Sequence, residues 1–343
     1  MIAWGLVLAL FAVVENFSGA VAVRFMLGVC ESSVTPGFAL ITSQWYTKAE
    51  QGLRTGIWFS FNGWAQILGG LVAYGIARGV GPADDPDYTG LAGWKIVFLT
   101  WGLVTVAMGV IFLFVVPDNQ LNARWLSKGD RILAIERIRV NQQGVGNKHF
   151  KMYQLKEAFL DPLTWAIVFY ALVADIPNGG ITNFFSQLIT SFGYSAEESL
   201  LYGTPGGAVE VVTLIVGGYL GDKYHNRILV SSFGLIASMI GMILIVALPL
   251  SNNSGRLGGY YLTQASAMPF VAFLSLISTN VAGYTKKTTV AALYLIGYCV
   301  GNIIGPQTFR PKDKPRYVPA EITIIVCWVS FLRQYLPPTE PLR

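Results

Sequence analysis

Apolar runs of about 20 residues, the length that crosses a bilayer core as a helix, recur along this chain with short polar punctuation between them. Ten can be marked, at roughly 1–17, 19–45, 55–78, 94–116, 163–190, 200–221, 228–249, 258–282, 288–309 and 319–336. The first and last are the weakest: one begins abruptly at Met1, and the other carries Glu321 and Arg333 and stops at Pro337-Pro338. Residues 1–17 lack the basic leader and small-residue cleavage pattern of a secretory signal, so a membrane span is the better reading of that run. An all-α membrane protein is the fold class that this pattern predicts.

Composition agrees. Hydrophobic residues make up 53% of the 343 and charged residues 13%, where soluble chains carry about 25% charged. With a mean hydropathy of +0.51, the polar surface needed to solvate a globule of this size is missing, which excludes a soluble enzyme. The net charge of +5 is spread between apolar stretches and not clustered on one face, so it carries no nucleic-acid footprint. Lys and Arg instead report orientation. With Met1 on the cytoplasmic side, the inner segments hold 16 of them (Lys48, Arg54, eight from Arg124 to Lys156, Lys223, Arg227, Lys286, Lys287, Arg333, Arg343) against 7 outside. The outer group Arg310–Arg316 runs against the trend. Asn252-Asn253-Ser254 then falls outside, as a glycosylation acceptor or a plain polar turn.

Residues 117–161 separate four spans from six and hold 13 of the chain's charges. They form the expected cytoplasmic linker, between an N-terminal bundle at 1–116 and a C-terminal bundle at 162–343. Ser127-Lys128-Gly129-Asp130 reads as a helix cap, opening a helix that either lies at the headgroup level or is simply solvated. The two halves resemble each other. Gln66-Ile-Leu-Gly-Gly70 matches Asn302-Ile-Ile-Gly-Pro306, and each follows a span with a central proline, Pro36 or Pro269. Equivalent halves would have six spans each, which places two further spans before Met1.

These residues also resemble a family. Arg24-Phe-Met-Leu-Gly28, Glu31-Ser-Ser-Val-Thr-Pro-Gly37, Leu53-Arg-Thr-Gly-Ile-Trp-Phe-Ser-Phe-Asn62-Gly63, Ile176-Pro-Asn-Gly-Gly180, Gly218-Tyr-Leu-Gly-Asp222 and Gly297-Tyr-Cys-Val-Gly-Asn302 look like the fungal allantoate permease group of the anion:cation symporter family, within the major facilitator superfamily. The likeness runs from about residue 20 to 318. It implies a major facilitator type helical bundle, here with about ten of twelve transmembrane helices, and proton-coupled symport of a small organic anion such as allantoate, a ureide, a vitamin carboxylate or a short peptide across the plasma membrane. The superfamily's Gly-x-x-x-Asp motif is absent from the first half, and its second-half counterpart is Gly218 to Asp222 with Arg227. A chain lacking leading spans also fits a non-transporting membrane protein, either a nutrient receptor or an inert fragment.

Ionisable groups inside a bilayer are costly and mark function or pairing. Arg24, Gly28, Glu31 and Thr35 recur at helical spacing and share a stripe, so Arg24 and Glu31 are either a structural ion pair or a substrate-binding cation beside a proton-coupling carboxylate. Asp175 and Glu210, each central in its span, are the other proton-coupling candidates. Asn62 and Gln66, four apart on one face, and Asn302, the repeat partner of Gln66, can hydrogen-bond a solute or glue helices together. Ile176-Pro177-Asn178-Gly179-Gly180 should break its helix and free backbone groups for a cavity, making Asn178 and Asn183 lining candidates. Gly69-Gly70 and Gly217-Gly218 suit close helix approach. Asp222, Lys223 and Arg227 at a cytoplasmic end read as a conformational latch or a solvated loop. His149 and His225 fall in loops, the three cysteines lie in apolar runs, and no metal spacing, phosphate loop or nucleophile elbow occurs, so neither enzyme chemistry nor a cofactor is expected. The expected partners are a small organic anion, a proton and the lipid bilayer, with no nucleic acid.

Overall fold

The computed structural model describes residues 1–80, 90–141, 149–313 and 316–335, and every regular element among them is helical. In chain order these are α1 (Ile2–Leu10), α2 (Phe17–Glu31), α3 (Val34–Trp45), α4 (Gln51–Phe59), α5 (Phe61–Gly79), α6 (Gly93–Val115), α7 (Lys128–Ile138), α8 (Met152–Leu160), α9 (Pro162–Ser191), α10 (Ala196–Lys223), α11 (Arg227–Ala247), α12 (Asn253–Thr263), α13 (Ala267–Asn280), α14 (Tyr284–Gln307) and α15 (Val318–Tyr335). Among the described residues seven helical segments are long and apolar enough to cross a membrane, and two shorter apolar helices, Ile2–Val13 and Val318–Leu332, stand at the expected first and last spans. The run expected at 55–78 is two helices, α4 and α5, jointed at Ser60, whose hydroxyl donates to the Ile57 carbonyl at 2.7 Å. Lys148, Lys314, Pro337-Pro338 and Arg343 lie outside the described residues.

The spans with Pro36 and Pro269 are interrupted in the same way. A proline inside a helix lacks the amide hydrogen and its ring crowds the carbonyl four residues earlier. For Pro36 that residue is Ser32, and the helix breaks at Ser32-Ser33 between α2 and α3; for Pro269 it is Ala265, in the 3-10 turn Gln264–Ser266 between α12 and α13. The repeat seen in sequence is thus a repeated helix break.

The contacts divide the chain into two compact units. The first comprises Met1–Trp45 and Gly69–Gly146. Here α1 and α6 press together through small residues: a Cβ on Gly5 would stand 2.7 Å from the Gly102 carbonyl oxygen, and one on Gly102 would stand 2.8 Å from the Ala9 Cβ. Such close backbone approach is how helices associate where no hydrophobic gain separates lipid from protein. Phe11 stacks on Phe98 at 4.6 Å, and Trp45 on Trp125 at 5.6 Å. Asn16 caps α2, accepting from the Gly19 amide at 2.6 Å, and Ser127 caps α7, accepting from the Asp130 amide at 3.2 Å, as its sequence suggested.

The second unit comprises Tyr46–Leu68 and Asn147–Arg343, so that α5 begins in it and ends in the first. Its tightest seam joins α9 to α14. Gly297, Gly301 and Gly305, one turn apart, meet the α9 backbone: a Cβ on Gly301 would lie 2.5 Å from the Leu172 oxygen and 3.0 Å from the Asp175 Cβ. Along this seam α9 runs unbroken from Pro162 to Ser191 although Ile176-Pro177-Asn178-Gly179-Gly180 predicts a break. Past the proline, side chains bond back to carbonyls four residues earlier, the Thr182 hydroxyl to Asn178 at 2.6 Å and the Asn183 amide to Gly179 at 2.8 Å. Asn252, the possible glycosylation acceptor, caps α12 by accepting from the Gly255 amide at 2.9 Å. One turn into α12, Arg256 is fully buried, its guanidinium 4.4 Å from the centre of the Phe192 ring and donating to the carbonyls of Ser191 and Ile245 at 3.4 Å.

Candidate functional site

Within the second unit α4, α5, α9, α10, α12, α13, α14 and the 3-10 turn at Gln264–Ser266 surround a cavity of about 370 Å³. Phe59, Phe185, Phe270 and Tyr298 provide aromatic walls; Asn62, Gln66, Asn178 and Gln264 bring amides; Asp175 and Glu210 bring carboxylates. No Lys, Arg or His lines it among the described residues. Broad apolar surface with a few convergent polar groups is the usual form of a small-molecule site. Asp175 is 4% exposed, and its Oδ2 has no hydrogen-bond partner among the described residues.

Of the six amide and cation candidates, Asn62, Gln66 and Asn178 line this cavity. Gln66 donates to the Gly203 carbonyl at 3.3 Å and the Tyr260 hydroxyl at 3.0 Å, so it ties α5 to α10 and α12. Asn302 stands behind the wall, accepting from the Asn178 amide at 3.1 Å and donating to the Tyr298 carbonyl at 2.9 Å. Asn183 is exposed and spends its amide on its own helix. Arg24 and Glu31 belong to the first unit, where both are exposed; Arg24 stacks its guanidinium over Phe11, 4.9 Å from the ring centre, and the two form no ion pair with each other. Glu210 and Asp175 are therefore the proton-coupling candidates brought together. Among the described residues no group of three or more His, Cys, Asp or Glu side chains could hold a metal ion.

The latch candidates divide. Asp222 and Arg227 form a clamp, with Oδ1 of Asp222 accepting from Nε and Nη2 of Arg227 at 2.9 and 2.7 Å. Oδ2 of Asp222 takes the Leu53 amide at 2.6 Å, and Arg227 Nη2 donates to the Lys48 carbonyl at 2.6 Å, fastening the start of α4 to the end of α10. Lys223 stays outside it, exposed, its ammonium 5.8 Å from the rings of Tyr219 and Tyr224. Gly217 and Gly218 beside the clamp do admit close approach, to Met268 and to the Gly52 carbonyl, whereas Gly69 meets nothing within 4 Å. A second fastening ties the linker helix α8 to α14. Lys286 pairs with Glu157 at 2.7 Å and Asp161 at 3.0 Å, and the Thr285 amide donates to Gln154 at 3.1 Å. The Lys286 hydrogen bond, with the Leu163 amide as a second donor, holds the Asp161 carboxyl below the usual carboxylate range.

Tyr260 and Gln264 were not among the sequence candidates. Their only signal was polarity beside a proline-bearing span, in Tyr260-Tyr261-Leu-Thr-Gln264, five to nine residues before Pro269.

A family model for the Major Facilitator Superfamily matches residues 1–306. The chain belongs to the major facilitator superfamily. This superfamily is one of transporters, not enzymes, and the chain is a multi-pass membrane protein of its helical type. The chain is 42% identical over 333 residues to an uncharacterised transporter of Schizosaccharomyces pombe and 38% identical over 341 residues to the allantoate permease of Saccharomyces cerevisiae, each match covering 97% of this chain. It spans 64% and 62% of those relatives' lengths, less than two-thirds. Among solved superfamily structures, the proton:xylose symporter XylE aligns with a TM-score of 0.68 at 15% identity, over 98% of this chain and 78% of that one. The Escherichia coli fucose:proton symporter FucP aligns at 0.61 and 17%, over 98% and 82%.

Proposed function

We propose that this superfamily member is a proton-coupled symporter of a small organic anion in the plasma membrane, with allantoate, a ureide, a vitamin carboxylate or a short peptide as the range of solutes. One observation carries the reading: the cavity of the second unit gathers two carboxylates and four amides between aromatic walls, with no basic side chain among its described lining residues. A carboxylate removed from water is stabilised by taking a proton, so Asp175 and Glu210 are suited to carry one, and the amides hold a polar solute without a buried charge. Kinship to an allantoate permease supports the solute class. Residues 1–116 and 162–343 act as the two bundles of the transport cycle, joined by 117–161 on the cytoplasmic side. Glu31 is a third proton carrier and Arg24 the cation that meets the solute's carboxylate.

Reconstitution into proteoliposomes with radiolabelled allantoate, and other organic anions as competitors, tests this. An inward proton gradient should drive accumulation above equilibrium. Glu210→Gln and Glu31→Gln should lose that accumulation and keep solute exchange, while Arg24→Gln should raise the half-saturating concentration. Uphill accumulation unchanged in both glutamine variants refutes the coupling assignment.

A further inference from the structure

The amides around the cavity differ in what remains of them for a solute. Gln66 is committed to Gly203 and Tyr260, Asn178 and Asn302 to each other and to Tyr298, and Asn183 to its own helix. Asn62 and Gln264 are different: both line the cavity, and neither side-chain amide makes a hydrogen bond within the described residues. Asn62 is exposed, whereas Gln264 is only 9% exposed. Its stem is fixed: a Cβ on Gly206 would stand 3.2 Å from its Cγ and 3.6 Å from its Cδ, so the glycine leaves just enough room for the side chain to lie against α10. It sits in the 3-10 turn where Pro269 interrupts the span, so its orientation is not set by a regular helix.

With its stem buried and its amide open to the cavity, Gln264 holds a donor and an acceptor that no described residue uses and that a solute can complete. We infer that Gln264 is a specificity-determining residue of the transport site, pairing through its adjacent N–H and C=O with an amide or ureide group of the solute. The inference rests on the proposed transport function and names the solute feature that the second-unit cavity reads. The partner group must offer a donor beside an acceptor. The nearby Asp175 and Glu210 accept further N–H donors, and the absence of a basic lining residue leaves the solute's own carboxylate to be met outside this cavity.

Two probes separate this from a general solute site: ureidopropionate, and its oxohexanoate isostere in which both nitrogens are carbon. Binding is measured by calorimetry on the full chain in nanodiscs, alongside the thermal midpoint of the ligand-free protein. The wild-type protein should prefer the ureido acid by about 10- to 100-fold, since a site built around a hydrogen bond rejects an analogue that lacks it. Gln264→Met, similar in length and without donor or acceptor, should abolish the preference by weakening the ureido acid more than the ketone, which keeps a carbonyl acceptor but no N–H donor, and should keep or raise the thermal midpoint. A Gln264→Met protein that retains the preference overturns the assignment, as does one that loses both ligands equally with a lowered midpoint, the mark of a structural amide. A wild-type protein that binds neither probe overturns the organic-solute reading and this assignment with it.

Discussion

Neutralising Asp222 should unfasten the start of α4. In Asp222→Asn the side chain keeps its shape and loses its charge, so Arg227 is left with a guanidinium that is 12% exposed and faces no anion, and the Leu53 amide loses a carboxylate acceptor at 2.6 Å. Deleting one partner of a fully buried pair costs about 3–5 kcal/mol. This pair keeps a tenth of its surface in water, and Arg227 retains its bond to the Lys48 carbonyl, so about 2–3 kcal/mol is the reasonable loss. At 1.4 kcal/mol per decade that is about a 30- to 140-fold gain in the open population. Amide hydrogen exchange over residues 48–56, followed by mass spectrometry, reads that population directly, because the Leu53 N–H exchanges only when its bond to Asp222 breaks. The double variant Asp222→Asn/Arg227→Gln should recover much of the protection, since burying no charge costs less than burying one. Exchange within threefold of wild type in Asp222→Asn, or a double variant as open as the sum of its singles, would refute the clamp.

Two further outcomes follow from the same packing logic. Gly301→Val should lower the thermal midpoint by the equivalent of about 2–3 kcal/mol, because added carbon meets α9 backbone that cannot retreat, while Gly69→Ala, with nothing within 4 Å, should be neutral or stabilising by about 0.5–1 kcal/mol; equal midpoints for the two proteins would contradict the seam. The docking of α8 should depend on pH in one direction. Asp161 is held below its unfolded value, about 3.9, by Lys286, so its contribution is present above that value and lost as pH falls through the lowered one; exchange over residues 149–161 that loosens between pH 8 and 6 would show that another group controls it.

The spans were legible because a run of apolar residues is local chemistry, and the central prolines Pro36 and Pro269 were legible as a repeat, although the breaks they bring were not. Asn62, Gln66 and Asn178 were legible as polar anomalies in apolar helices. Where tertiary context decides, the pattern misled. Pro177 with two glycines reads as a break, yet α9 runs unbroken along the glycine seam of α14. Helical spacing correctly puts Arg24 and Glu31 on one stripe, but spacing says nothing of which cavity a stripe faces, and they lie in a different unit from Asp175 and Glu210. Gln264 was invisible because a glutamine at a helix interruption resembles any polar residue near an interface, and only burial together with the lack of a partner singles it out.

Arg256 has a consequence for how the chain is made. A guanidinium near the start of an apolar segment opposes release into lipid, by up to about 2.5–3.5 kcal/mol at the centre of a span and less toward its ends. Its hydrogen-bond and ring partners, the Ser191 and Ile245 carbonyls and the Phe192 ring, precede it in the chain, and the Glu321 carboxylate that also acts on it follows. When α12 leaves the ribosome, α9, α10 and α11 have already been synthesised, so the charge enters a surface that is waiting for it. Membrane integration of α12 thus becomes cooperative with the helices before it, and a block placed upstream in α9 or α11 should be felt as a failure of α12 to insert.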